Sequence, residues 1–223
     1  MKRLANWAAA VAVAATLLGL GSAQADDTAA TLAHADATIT NLAHDPMFAT
    51  ARATLRTARA VLIVPRLVKG GFIFGAEGGQ GVLLARDRRG WSEPAFYTLG
   101  SASFGLQIGI EEAELVMFIM SDRALRGIEA GKVKLGAGAG LTVVTLGGSA
   151  EAATAANLSG DIIVWSSAKG AYGGLTFNGS VIAPQDDTNA DFYGHRVSVH
   201  EILSGAVRNP EGARLSRHLA TVW

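Results

Sequence analysis

An α+β domain with a curved, partly closed antiparallel β-sheet and helices packed on it at both chain ends is what this sequence predicts, and three observations predict it. A stretch almost without Gly comes first, with apolar residues every three or four positions. A long region of short apolar runs punctuated by Gly follows, and helical spacing then returns, broken by Gly and Pro. Runs of strands bracketed by helices, without regular β-α-β alternation, belong to the α+β class. A hydrophobic content of 49% is that of a chain able to build a core.

Ahead of the domain, Lys2 and Arg3 precede an apolar run from Trp7 to Leu20 that ends in Ala23-Gln24-Ala25. A basic start, a short apolar middle and an Ala-x-Ala end mark residues 1–25 as a cleavable export signal, since about 13 apolar residues fall short of the roughly 20 that span a bilayer. The sequence contains no Cys, so neither an acylated Cys at the cleavage point nor a disulfide is available. The expected location is periplasmic or secreted. Residues 26–223 are then expected to form one domain. Losing Lys2 and Arg3 lowers 19 basic residues to 17 against 19 acidic ones, a formal charge of −2. Such a chain has no global basic field to hold nucleic acid.

The elements follow in order. Leu32, Ala35, Ile39 and Leu42 share helical spacing, and Asp45-Pro46 predicts a break and a second helix from Pro46 to Arg59, with Asp as cap and Pro in the first turn. Arg52, Arg56 and Arg59 would lie on one face of that helix. Strands are expected at Gly71 to Gly75, Gln80 to Ala85, Ala95 to Leu99, Ser103 to Gly109 and Leu115 to Met120. In Ser103 to Gly109 the apolar Phe104, Leu106 and Ile108 alternate with Gly105, Gln107 and Gly109. A short helix should run from Asp122 to Glu129 and be closed by Gly131. Strand resumes over Lys132 to Leu146, Asp161 to Ser167 and Tyr172 to Val181, the last two around a turn at Lys169-Gly170. Asn189 to Tyr193, Val199 to Leu203 and Glu211 to Leu219 read as helices separated by Gly194, Gly205 and Pro210. Many of the 27 glycines fall inside strand patterns, where they permit bends, which is the ground for expecting curvature. About six to nine strands are expected.

Searches for catalytic patterns come back empty. The glycine clusters at Gly75 to Gly81 and Gly136 to Gly140 never complete a dinucleotide fingerprint, because Leu84, Leu141 and Val143 stand at the third-glycine positions. Lys69, Lys132 and Lys169 lack the surroundings of a phosphate loop, and there is no Gly-x-Ser-x-Gly elbow. His195, His200 and Glu201 lack the spacing of a helical zinc site, and Asp186, Asp187, Asn189 and Asp191 lack the Gly and Glu of a calcium loop, reading instead as a solvated acidic loop. No enzyme, cofactor or metal is expected.

From Ala60 to Arg86 the sequence carries Val64-Pro65, Lys69-Gly70-Gly71-Phe72 and Gly75-Ala76-Glu77-Gly78-Gly79-Gln80-Gly81-Val82-Leu83. Trp91-Ser92, Pro94-Ala95-Phe96-Tyr97, Gly105 to Gly109, Asp122 to Leu125, Ser167 to Gly174, Gly179 to Ile182, Asn189-Ala190 and Tyr193-Gly194 follow in order. This series resembles the SYLF domain family, in its exported bacterial branch, over about Asp36 to Leu219. The resemblance implies phospholipid binding without catalytic residues. Eukaryotic relatives use the domain on phosphoinositide membranes and in some cases with actin, but an exported chain meets neither as a resident partner.

The partner implied is therefore an anionic phospholipid surface of the cell envelope. A chain of this net charge can hold one only through a local patch, for which Arg66, Lys69 and Lys169 beside Gly-rich turns are the cations and Phe72 the interfacial aromatic, with Phe74 nearby. Arg52, Arg56 and Arg59 add a helical basic face if the second helix lies alongside. Two other classes compete with this reading. One is a small outer-membrane β-barrel, suggested by export, alternating Gly-rich strands and the terminal Trp223, and opposed by Arg217 and Thr221 in the last segment. The other is a periplasmic hydrolase whose site has no local motif.

Overall fold

The computed structural model describes residues 24–46, 48–49, 52, 56–71, 74–104, 109–131, 133–135, 143–146, 160–167 and 180–222. Helix α1 (Gln24–His44) leads into strands β1 (Ala60–Gly71), β2 (Phe74–Asp87), β3 (Gly90–Trp91), β4 (Ala95–Phe104) and β5 (Gly109–Ile119). Helix α2 (Asp122–Glu129), strands β6 (Val133–Lys134), β7 (Val143–Leu146), β8 (Ile162–Ser166) and β9 (Val181–Pro184), and helices α3 (Asp186–Tyr193), α4 (Val199–Leu203) and α5 (Pro210–Val222) complete it. The segment expected to be an export signal, residues 1–25, lies outside the described residues except for its last two, where α1 begins.

The α+β class holds. One sheet runs in the order β6-β9-β4-β2-β1-β5-β8-β7, with β3 paired to β2. Its pairs are antiparallel except β7 with β8. The sheet is open rather than partly closed: β6 and β7 are its ends, and no pairing joins them among the described residues.

Both faces of the sheet are packed at one end of its long strands. Val61, Ile63, Val82, Leu84, Val116, Phe118, Ile163 and Trp165 point to α1 and α5 and bury Leu32, Ala35, Ile39, Leu42, Leu215 and Leu219. The alternate residues, among them Leu62, Val64, Leu83, Tyr97, Met117 and Val164, bury Ala124 and Ile128 of α2 and Ile202 and Leu203 of α4. Strands covered on both faces carry continuous apolar runs, which is why Ala60 to Val64 and Leu115 to Ile119 show no polar alternation. The same burial removes the bare lipid-facing surface that a membrane barrel needs on every strand, so the barrel alternative fails on this fold.

Capping chemistry decides the helices. Ser121, not Asp122, caps α2 by accepting from Ala124 N, and Gly131 at φ 62° follows its last turn. Ser198 and Glu201 form a reciprocal capping box on α4. Pro210, read as a breaker, is the first residue of α5, where its missing N–H costs nothing. The acidic loop at Asp186 to Asp191 is helix α3. Its Asn189 is buried and both accepts from Phe96 N at 2.8 Å and donates to Phe96 O at 3.3 Å, fixing α3 to β4.

Several expected strands need redrawing. Gly71 to Gly75 is the end of a hairpin, with Gly71 of β1 opposite Gly75 of β2. Ser103 to Gly109 cannot be one strand, because Phe104 ends β4 opposite Phe74 while Gly109 begins β5 opposite Gly71, on the other side of the β1–β2 hairpin. Lys132 to Leu146 divides into β6 and β7, at opposite ends of the sheet. The segment expected from Tyr172 to Val181 lies outside the described residues up to 179, and β9 starts where it was to stop. Strand β8 pairs with β5 and β7.

Candidate functional site

A register shift in β1, between Val64 and Leu67 against β5 and between Ile63 and Val68 against β2, marks where the doubly packed half of the sheet stops. Glycines of β2 make room for it. A Cβ at Gly79 would stand 2.5 Å from Arg66 O and 2.8 Å from a Val64 methyl, and one at Gly81 would collide with Ile63 O. Beyond the shift the strands carry few apolar side chains, and Arg66 and Glu112 are both exposed.

Arg66 is therefore a surface residue, as expected, but not a lone cation. Its Nη2 donates to Glu112 Oε1 at 2.5 Å, across from β5. This hydrogen bond holds the Glu112 carboxyl below the usual carboxylate range and raises Arg66 above the ordinary guanidinium value. Lys69 lies in β1 in register with Glu77 on one side and Glu111 on the other. Phe72 and Lys169 lie outside the described residues.

Of the expected helical basic face, Arg59 is not a part, while Arg56 N still donates to Arg52 O at 3.0 Å, as within a helical turn. Arg52 is helical and half-buried, its guanidinium 5.3 Å from the centre of the Phe48 ring. Arg56 already stands in a turn, and Arg59 in a bend ahead of β1, where Nε lies 3.3 Å from Asp122 of α2. The chain leaves the helix ahead of Ala58, which is buried in the core, and Arg59 N donates to Ile119 O at 2.7 Å, so the Arg59 guanidinium turns to α2 instead.

Beside Arg66, on the α1 face, is a feature the sequence did not disclose: a cavity of about 540 Å³ where the helical cover ends. Its walls come from the end of α1 (Asn41, His44, Asp45), the β1 irregularity, β5 and the end of β8, including Trp165. Glu114 sits within it as a fixed anion. Its Oε1 accepts from Thr38 at 3.0 Å and Asn41 at 2.8 Å, and its Oε2 from Asn41 at 3.0 Å and Ser167 at 2.9 Å. Three donor groups, making four hydrogen bonds from α1 and the residue after β8, tie both elements to β5. The local signal was the run Glu111-Glu112-Ala113-Glu114, since carboxylates inside a strand of a packed sheet call for partners.

A second cavity, of about 730 Å³, lies between α2, the end of β9, α3 and α4, with Glu129, Asp186, Asp187, Arg196 and His200 on its walls. His200 Nδ1 stands 3.9 Å from Glu129 Oε2. Among the described residues no three His, Cys, Asp or Glu side chains are grouped to hold a metal ion.

Comparison with known proteins places these features in context. Residues 100–222 match the family model Ysc84, described as Las17-binding protein actin regulator. The chain is 34% identical over 163 residues to Protein YSC84 of Saccharomyces cerevisiae, a match covering 71% of this chain and 35% of that protein. Against SH3 domain-containing YSC84-like protein 1 it is 32% identical in Xenopus laevis, covering 69% of this chain and 47% of the relative. The human protein of that name is 30% identical, with 68% and 45% covered. The chain thus spans between about a third and a half of the length of these curated relatives.

Proposed function

The chain belongs to the Ysc84 family, the SYLF family its sequence resembles, and from that premise we propose that it is a non-enzymatic phospholipid-binding module of the bacterial cell envelope. It acts, in this reading, on anionic surfaces such as phosphatidylglycerol or cardiolipin after export to the periplasm or beyond. Cytosolic actin is not a resident of that compartment, so the actin-regulator description stays with the family.

One observation carries the reading: the register of the sheet brings two uncharged segments to one end of it. Gly71 stands opposite both Gly75 and Gly109, and Phe74 opposite Phe104, so Gly70, Gly71, Phe74 to Ala76, Leu99 to Phe104, Gly109 and Ile110 converge there, and the sequence from Gly70 to Ala76 and from Leu99 to Ile110 has no ionisable residue. An uncharged, Gly- and Phe-rich margin with Lys69 and Arg66 behind it suits the boundary between acyl chains and headgroups. Phe72 and Lys169 stay in the proposal as the aromatic and cation that the sequence suggests, and Arg66 joins once a lipid phosphate competes with Glu112.

Co-sedimentation of the mature chain with phosphatidylglycerol or cardiolipin vesicles, against phosphatidylcholine vesicles, tests this. Selective binding is expected. A triple change of Arg66, Lys69 and Lys169 to Gln should weaken it by on the order of a hundredfold with unchanged melting, each cation near an anionic surface adding its increment. Equal, negligible binding to both vesicles overturns the lipid reading and leaves a protein-binding role. Export is tested separately by N-terminal sequencing of the protein recovered from the envelope, which should begin at Asp26.

A further inference from the structure

We propose that the cavity beside Arg66 binds the phosphoethanolamine headgroup of an aminophospholipid, Arg66 taking the phosphate and Glu112 the ammonium. The inference rests on the membrane reading above and adds to it a second headgroup with its own site.

The charge of the cavity is the first argument. Among the described residues, Asp45, Glu112 and Glu114 place three carboxylates on its walls against one guanidinium, that of Arg66. An anionic headgroup entering alone would meet Arg66 but also be repelled by the acids around it. A ligand that brings its own cation removes the conflict. The end of α1 adds to the bias, because Asn41 and His44 belong to its last turn, where the helix dipole presents its negative pole.

The second argument is the state of each acid. Glu114 is saturated by its four hydrogen bonds, so it sets the local potential without being available as a direct ligand. Glu112 pairs with Arg66, and both side chains are more than half exposed, at 52% and 66%. Such pairs are weak in water because solvent screens them and two long side chains must be held still. Opening one is cheap when each ion finds a new partner. A zwitterion offers both at once: its phosphate accepts from the guanidinium fork, and its ammonium donates to the carboxylate. A phosphate alone serves Arg66 and strands Glu112 beside an anion.

The third argument separates ethanolamine from choline. A primary ammonium carries three N–H donors that a carboxylate can accept, whereas a quaternary ammonium has none. Carboxylate recognition therefore favours ethanolamine.

Vesicles with a fixed fraction of phosphatidylglycerol, the remainder being either phosphatidylcholine or phosphatidylethanolamine, supply the test. The parent should bind the ethanolamine vesicles about tenfold more tightly. Glu112→Gln should abolish that increment and, by freeing Arg66, strengthen binding to phosphatidylglycerol with phosphatidylcholine. Binding that depends on phosphatidylglycerol but is indifferent to ethanolamine overturns the headgroup assignment and leaves the membrane reading standing. If no vesicle binds, the membrane reading falls, and a titration with soluble glycerophosphoethanolamine still decides the cavity. Amide shifts at Asn41, Ser167 and Trp165, absent with glycerophosphocholine or inorganic phosphate, would retain it as a site for the free headgroup, and their absence would sink it.

Discussion

The two halves of the long strands differ in what their side chains face. From Ala60 to Val64 and from Leu115 to Ile119 every residue is buried, with Val61, Ile63, Val116 and Phe118 under α1 and α5 and the alternate residues under α2 and α4. Past the shift at Val64 to Leu67, the same β1 reads Val-Lys-Gly-Gly and the facing part of β2 Phe-Gly-Ala-Glu-Gly-Gly-Gln. One half specifies the fold through packing on two sides. The other is released from that demand, and the charged pair, the cavity and the uncharged margin all belong to it. A scaffold that clamps its strands at one end can vary the other end for recognition.

The comparison is tested most severely by Phe118. Its ring is buried and stacks on Phe48 at 6.2 Å between centres, inside the cluster that joins β5 to α1 and α5. Phe118→Ala should cost about 3–5 kcal/mol in urea unfolding, whereas Ala76→Ser, exposed on β2 beyond the shift, should stay within about 0.5 kcal/mol. Comparable losses at the two sites would show that the halves do not differ in the way their burial implies.

Gly81 and Glu114 probe the boundary itself. Gly81→Ala drives a methyl into the backbone of β1 at Ile63, and overpacking of this kind should cost about 1–3 kcal/mol. Glu114→Ala strands the donors of Thr38, Asn41 and Ser167, with a loss of roughly 1–3 kcal/mol. The two can be told apart by hydrogen exchange. The glycine change should weaken protection along β1 and β2, and the glutamate change should fray the last turns of α1 while leaving the β1–β2 ladder protected.

Legibility in the sequence follows the same division. Helices α2 and α4 were readable to within a residue because their ends are set locally: Gly131 and Gly205 stand just past them, and the cap of α2 is Ser121, one residue before the expected Asp122. Glycine-rich strands carry no such signals. The alternation across Ser103 to Gly109 is genuine, yet whether a chain continues or crosses a hairpin is a tertiary decision that five or six residues do not encode. Arg66 was recognisable as a surface cation, while its partner Glu112 is 46 positions away and visible only once β1 and β5 are paired. In the run of Arg52, Arg56 and Arg59, the last misled because helical spacing was extended past the point where Ala58 and Ala60 are needed in the core.

The subtlest contrast lies between two carboxylates, Glu93 in the packed half and Glu112 beyond it. Glu93 is buried against Gly212 of α5, and that burial raises its carboxyl above the ordinary value, partly offset by Asn209 N–H and by Arg208 and Arg217. A raised folded-state value means that the stabilising contribution is complete below the unfolded value and is lost as pH rises through the folded one. Glu93→Gln keeps an acceptor for Asn209 without the charge, so its melting temperature relative to the parent should climb as pH increases across the carboxylate range. Glu112 has the opposite sign: Arg66 depresses it, so its contribution is present above the unfolded value and is lost as pH falls through the folded one. Glu112→Gln should match the parent in acid and fall slightly below it at neutral pH, by little because the pair is exposed. Melting curves of the parent and both variants between acid and neutral pH read the two signs directly. A shift of the same sign in both variants would mean that burial and ion pairing do not divide between the halves as their packing indicates.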